Sequence, residues 1–215
     1  MVPDFSEERR QMVERQLRRR GIRDPRVLAA MAQIPREELV PPDSRFIAYF
    51  DEPIDIGFRQ TISQPYMTAL MAELLELKGS ETVLEVGTGS GYAAAVLGAL
   101  AQRVVTVELI PRLAAIAHEN LARTGWGQNV IVVSGDGSMG YPPLAPYDAI
   151  SVAAGAPEVP NALLDQLKDP GRLVIPVGER RDQELRVIQK QNGQTESRVA
   201  TLCRFVPLRG DEGWH

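Results

Sequence analysis

Strand-like and helix-like stretches alternate through most of this chain. Residues 83–86 form an apolar run rich in β-branched side chains, broken at Gly87, Gly89 and Gly91 before the alanine-rich segment 93–101. That order spells a buried strand, a glycine turn and a helix. Residues 103–107 are a second β-branched run, closed by Glu108, and residues 113–123 set Leu113, Ile116, Ala117 and Leu121 on one helical face. Further strands are expected at 130–133, 147–153 and 173–177, with a short helix over 160–167. The alternation requires right-handed crossovers and a doubly wound, mostly parallel α/β sheet with helices on both faces.

The two ends depart from this rhythm. Residues 6–20 read as a charged helix with Met12, Val13 and Leu17 as its apolar stripe, stopped by Gly21. Arg15, Arg18, Arg19, Arg20 and Arg23 alternate with Glu7, Glu8 and Glu14, the pattern of a solvated face. Asp24-Pro25 supplies a cap and a first-turn proline for a second helix carrying Val27, Leu28 and Met31, which ends before Pro35. Residues 41–60 show no periodic element. After them Ser63 precedes Pro65, where a helix begins with Tyr66, Met67, Leu70, Met71, Leu74 and Leu75 as its expected apolar face. At the other end, strand-like runs at 185–189 and 199–205 flank Asn192-Gly193, a hairpin signal. Residues 210–215 are expected to pack loosely. The expected organisation is an N-terminal helical and loop region, 1–60, packed on a core, 61–215, as one unit.

Composition narrows the class. The chain has 215 residues, 44% of them hydrophobic and 24% charged, as in ordinary globular proteins. A formal net charge of -4 argues against general nucleic-acid binding. Cys203 is the single cysteine and His118 and His215 the only histidines, so neither an internal disulfide nor a metal site is expected. No apolar run approaches the ~20 residues that cross a bilayer, so no membrane partner is expected and a cytoplasmic location is the default.

Three consecutive strand ends carry groups suited to a nucleoside. The first has the glycine turn, with Thr88 and Ser90 between its glycines; the second has Glu108, able to accept from both ribose hydroxyls; the third has Gly135-Asp136-Gly137, able to reach an adenine edge. Dinucleotide sites use G-x-G-x-x-G, whereas this spacing is G-x-G-x-G with Tyr92 at the dinucleotide's third-glycine position. Glu85, just before the turn, would repel a pyrophosphate and suit the amino and sulfonium groups of S-adenosylmethionine. The methyl donor is therefore favoured over a nicotinamide cofactor. Ser63 stays open at this level. It either caps the helix that follows or serves the site.

VLEVGTGSGY, VVTVE, GDG, APYDAISVAAGAPEVP and GRLVIPVG resemble, in that order, the motifs of protein-L-isoaspartate O-methyltransferases. RGIRDPRVLAAM, IPREELVP, TISQPYM and FVPLRG extend the resemblance over nearly the whole chain, and TISQPY with FVPL is its narrowest part. Two departures are Arg59, where bacterial relatives commonly have glycine, and LKDPGRL, where an LKPGGRL-like turn is usual.

The resemblance implies a Rossmann-like methyltransferase fold that binds S-adenosylmethionine, releases S-adenosylhomocysteine and needs no metal. It implies methyl transfer to the free α-carboxyl of L-isoaspartyl residues in damaged peptides and proteins, by a chain expected to be a monomer. Ser63 becomes the catalytic residue, orienting the substrate carboxylate. Thr61, Ile62 and Gln64 would shape its pocket, and Val206, Pro207 and Leu208 would hold the peptide main chain. Glu85, Gly87, Thr88, Gly89, Ser90, Glu108, Asp136 and Gly137 would hold the cofactor. The alternatives are a methyltransferase of the same class acting on another carboxylate or hydroxyl, and a non-catalytic relative that binds the cofactor.

Overall fold

The computed structural model describes residues 4–214. Its core is a seven-stranded sheet formed by β3 (Thr82–Val86), β4 (Arg103–Glu108), β5 (Val130–Ser134), β6 (Tyr147–Val152), β7 (Leu167–Gly178), β8 (Gln183–Gln191) and β9 (Gln194–Cys203). Across the sheet the order is β5-β4-β3-β6-β7-β8-β9. The first five of these are parallel, and β8 and β9 close the sheet antiparallel. The order therefore reverses between β3 and β6, the position at which doubly wound sheets open a crevice at their carboxyl ends.

The helices are α1 (Ser6–Gln11), α2 (Pro25–Gln33), α3 (Pro65–Leu74), α4 (Tyr92–Leu100), α5 (Pro111–Thr124) and α6 (Asn161–Asp165). α1 runs on through a π-helical stretch, Met12–Leu17, and a 3-10 turn, Arg18–Arg20, until Gly21 ends it at φ 103°. Asp24 caps α2 by accepting from the amides of Arg26 and Val27. Met12, Leu17, Ile22, Met31 and Ile34 of this N-terminal region share one apolar cluster with Val83, Tyr92 and Val96.

α3 buries its expected apolar face in part, and a row of small residues with it. Thr68, Ala69, Met71, Ala72 and Leu75 are buried, whereas Tyr66, Met67, Leu70 and Leu74 are only half-buried. The four half-buried side chains still pack against the core cluster, and hydrophobicity alone does not report that Thr68, Ala69 and Ala72 are buried beside them.

Residues 41–60 are more ordered than their composition suggests. A 3-10 stretch (Pro42–Ile47) leads to a separate hairpin of β1 (Ile54–Gly57) and β2 (Gln60–Ile62). Its turn holds Phe58 and Arg59 at φ 55° and 60°, a left-handed pair without a glycine or asparagine to announce it.

The closing hairpin does turn on Asn192-Gly193, at φ 53° and 74°, but its strands are longer than the ragged apolar runs indicated. β7 likewise starts at Leu167, which ends the preceding helix at Asp165. Asp169, in the departing LKDPGRL segment, accepts from the amides of Asn192 at 2.8 Å and Gly193 at 2.5 Å, pinning the hairpin turn to β7.

The C-terminal segment is held, contrary to the loose packing expected of it. Trp214 donates its backbone amide to the carbonyl of Leu208 at 2.7 Å and its indole N–H to that of Gly155 at 3.0 Å. The guanidinium of Arg180 lies over its ring at 5.0 Å. His215 lies outside the described residues. His118 is exposed on α5, and Cys203 is a half-buried thiol that burial pushes up to about 11.

Candidate active site

A cleft opens at the switch point. Gly87, Thr88, Gly89 and Ser90 form one wall, Glu108, Leu109 and Ile110 a second, and Gly137 with Ala153 and Ala154 a third. Thr61, Ile62 and Ser63 face them from β2 and the start of α3, and Val206, Pro207 and Leu208 from the segment after β9. All but three of the residues expected to hold cofactor and peptide thus line one cavity, although they come from stretches far apart in the chain.

The glycine turn shows why that spacing is required. Gly87, Gly89 and Gly91 lie at φ 91°, 56° and 91°, three left-handed positions that side chains disfavour. α4 begins directly after Gly91 with no side-chain cap, so its first amides and its positive dipole end face the cleft. The buried hydroxyl of Ser90 has no hydrogen-bond partner. An amino-acid carboxylate placed here would satisfy both, which makes the turn fit the methionine end of S-adenosylmethionine.

Glu108 is 6% exposed and fixed at both oxygens: Gly89 donates to one at 2.9 Å and Ile110 to the other at 3.0 Å. Each carboxylate oxygen accepts about two hydrogen bonds, so the anchored group still has acceptor capacity for a ribose diol. Gly137 is demanded by close approach, because a Cβ there would meet Cγ1 of Val86 at 2.5 Å. Together these features fit an adenosine-bearing ligand.

Three expected contacts lie off the cleft wall. Asp136 accepts from the amide and hydroxyl of Ser138 at 2.9 and 2.7 Å and from the amide of Asp211 at 2.8 Å. Its carboxylate binds the C-terminal segment, leaving Gly137 as the surface a base would meet. Glu85 is buried beneath the turn, where its Oε2 accepts from the hydroxyl of Thr106 at 2.6 Å and Oε1 has no partner. It faces a smaller cavity behind the cleft, together with Ser151, Thr68 and Ser63. Burial pushes its carboxyl up to about 8, opposed by the Thr106 hydrogen bond and reinforced by the charge of Glu108. A largely neutral Glu85 leaves the sequence argument against pyrophosphate resting on the glycine spacing. Gln64, finally, is the residue that caps α3; its carbonyl accepts from Met67 and Thr68.

Ser63 makes no capping bond to α3. The carboxylate at that helix start belongs to Asp51, which accepts from the amide of Tyr66 at 3.0 Å and pairs with Arg20. Arg20 also stacks on the Tyr66 ring, 3.5 Å from its centroid, so one member of the arginine cluster does leave the solvated face. Pro65 has no amide hydrogen, and Tyr66, Met67 and Thr68 donate to Asp51 and Gln64, so the first amides of α3 are already satisfied. Asp51 had no local signal in the sequence. Thr68 and Arg209, which do line the cleft, were not singled out either.

A doubly wound α/β enzyme that binds an adenosine-bearing cofactor is the class this fold and cleft define. The profile of the family described as Protein-L-isoaspartate(D-aspartate) O-methyltransferase (PCMT) matches residues 7–213, and the chain belongs to that family. It is 52% identical to the protein-L-isoaspartate O-methyltransferase of Methanoregula boonei, covering 97% of this chain and 96% of that one. It is 55% identical to protein-L-isoaspartate O-methyltransferase 2 of Marinobacter nauticus, over 98% and 97% of the two chains. Among solved structures, a protein-L-isoaspartate O-methyltransferase superposes with a TM-score of 0.84 at 33% identity, over 95% of this chain and 67% of that one. A putative one from Plasmodium falciparum, in complex with S-adenosyl-L-homocysteine, gives 0.79 at 30% identity, over 94% and 98%.

Proposed function

We propose that this chain is a repair methyltransferase that moves the methyl group of S-adenosylmethionine to the free carboxyl of L-isoaspartyl residues in damaged peptides and proteins. The observation that carries the reading is the shared cavity, in which Ser63 and the 206–208 segment face the glycine turn and Glu108. The cofactor supplies a methyl group already activated on a sulfonium, with S-adenosylhomocysteine as leaving group.

The remaining work falls to binding and alignment. A peptide carboxyl titrates near about 3.5, so the acceptor is ionised at neutral pH and no side chain has to remove a proton. Glu108 would accept the ribose hydroxyls, the amides of the glycine turn and the Ser90 hydroxyl would take the methionine carboxylate, and Gly137 would back the adenine. The Ser63 hydroxyl would donate to one carboxylate oxygen of the peptide and so orient the other toward the methyl donor. Thr61 and Ile62 shape the pocket, and Ile62 with Leu208 keeps water from the reacting atoms. Gln64, Glu85 and Asp136 act from behind the wall, holding α3, the floor beneath the turn and the C-terminal segment in place.

The main chain of residues 206–208 is itself braced. Gly155 donates to Val206 at 2.8 Å and accepts from Leu208 at 2.8 Å, which fixes one edge of the segment and leaves the other to a peptide. An isoaspartyl residue lengthens the backbone by one methylene and shortens the carboxylate arm. Positioned hydrogen bonds discriminate such a change better than an apolar pocket does.

We assign the protein to the cytoplasm as a monomer working on peptides, with no nucleic-acid or membrane partner, and take residues 1–60 as part of one unit with the core. The net charge of -4 and the apolar cluster shared by both regions support this. No helix among the described residues is long and apolar enough to cross a membrane. The deciding assay compares methyl transfer from labelled S-adenosylmethionine to isoaspartyl and aspartyl versions of one peptide. Labelling of the isoaspartyl form alone is expected, and equal labelling of both would overturn the assignment.

A further inference from the structure

Arg36 is a fully buried cation whose hydrogen bonds and ring contact are all to neutral groups, with the charge of Asp51 near enough to favour it. Its Nε donates to the carbonyl of Ala48 at 2.7 Å, one of its terminal nitrogens donates to the carbonyl of Ser63 at 2.8 Å, and its guanidinium carbon lies 4.7 Å from the centre of the Tyr92 ring. The other terminal nitrogen has no partner, and no carboxylate lies within salt-bridge distance among the described residues. Burial lowers its pKa to about 10, which leaves it charged at neutral pH.

The next two residues face elsewhere. Glu37 pairs with Arg9 and Tyr49, and Glu38 with Arg123 of α5, so the short 3-10 turn Arg36–Glu38 is fixed from two sides before Arg36 reaches inward. A buried charge with incomplete pairing is costly, and an apolar side chain of similar volume usually supports a fold as well or better. What an apolar residue cannot do is grip the carbonyl of Ser63 and the face of Tyr92 at once. Tyr92 lines the cleft and opens α4, whereas Ser63 faces it from the opposite wall.

We infer that Arg36 is a positioning residue for methyl transfer: its planar fork ties the main chain of Ser63 to Tyr92 and Ala48 and so sets where the serine hydroxyl meets the substrate carboxylate. The inference rests on the reading of Ser63 as the orienting group. Geometry is the asset here, since lysine retains the charge but not the fork.

The test is a double-mutant cycle with Arg36→Lys and Ser63→Ala, alone and together, in the full-length protein. Readouts are kcat and KM on an isoaspartyl peptide, S-adenosylmethionine affinity by calorimetry, and thermal unfolding. Arg36→Lys is expected to lower kcat/KM by about tenfold or more while cofactor affinity stays within about threefold, and to have little further effect once Ser63 is alanine. Losses that multiply in the double variant would show that Arg36 acts independently of Ser63, and full activity in Arg36→Lys would show that charge alone suffices; either overturns the inference. A silent Ser63→Ala would overturn the reading of Ser63 and this inference with it, which separates the two failures. If Arg36→Lys does not fold, Arg36→Gln, neutral and still a donor, takes its place in the cycle with the same expectations.

Discussion

Gly89 donates its backbone amide to Glu108 at 2.9 Å, tying the middle of the glycine turn to the end of the neighbouring strand. The carboxylate is therefore aimed before any ligand arrives, and an aimed acceptor loses little freedom on binding. Removing it exposes two effects at once, a lost contact to the ribose and a slack turn.

Glu108→Ala is accordingly expected to weaken S-adenosylmethionine binding by about 1.5–3 kcal/mol, the range for hydrogen bonds to a charged group. Glu108→Gln keeps one acceptor oxygen and should lose less. Isothermal titration decides between them; unchanged affinity in both variants would remove Glu108 from the site.

Ser63→Ala should act on the other substrate. Its hydroxyl makes no capping bond to α3, so the substitution leaves the helix start, held by Asp51, as it was. Turnover on an isoaspartyl peptide is expected to fall by about tenfold or more, with cofactor affinity within a few-fold. Lost cofactor binding with undiminished turnover of the bound complex would mean that Ser63 belongs to the cofactor site instead.

What could be read from the sequence followed from how local each signal was. The glycine turn, Glu108, the Asp24-Pro25 cap and the Asn192-Gly193 hairpin each declare themselves within a few residues, because backbone conformation and capping are short-range effects. Arg36 and Asp51 declare nothing. Each acts on residues 12 or more positions away, Arg36 on the carbonyls of Ala48 and Ser63 and Asp51 on the amide of Tyr66. Asp136 and Glu85 bond to Ser138, Asp211 and Thr106, a choice the sequence does not announce, because a carboxylate at a strand end can turn toward ligand or protein and only tertiary packing chooses. The family resemblance pointed to both Ser63 and Gln64, and it supplied no reason why the first should line the cleft and the second lie off it.

The Phe58-Arg59 turn offers a stability prediction. Both residues sit in the left-handed region, which costs an L-residue about 1–2 kcal/mol. Arg59→Gly removes one such cost but gives back roughly 0.5–1 kcal/mol in unfolded-chain entropy. A net gain below about 1 kcal/mol is expected in urea unfolding. A loss of stability would mean that the Arg59 side chain makes a compensating contact.

Glu85 ties stability to pH. Its carboxyl titrates near 8 when folded, against 4.5 as a free group, so the folded protein retains a proton that the unfolded chain gives up between those values. The stability this contributes is full below about pH 4.5 and is lost as pH rises towards about 8, at up to ~1.4 kcal/mol per pH unit. Glu85→Gln cannot ionise, so its stability should fall less steeply over that window, with the gap between variant and parent widening towards the alkaline end. Urea denaturation of both proteins at several pH values checks this directly. Parallel curves would mean that Glu85 is already ionised in the folded state, with a solvated partner for its unpaired Oε1.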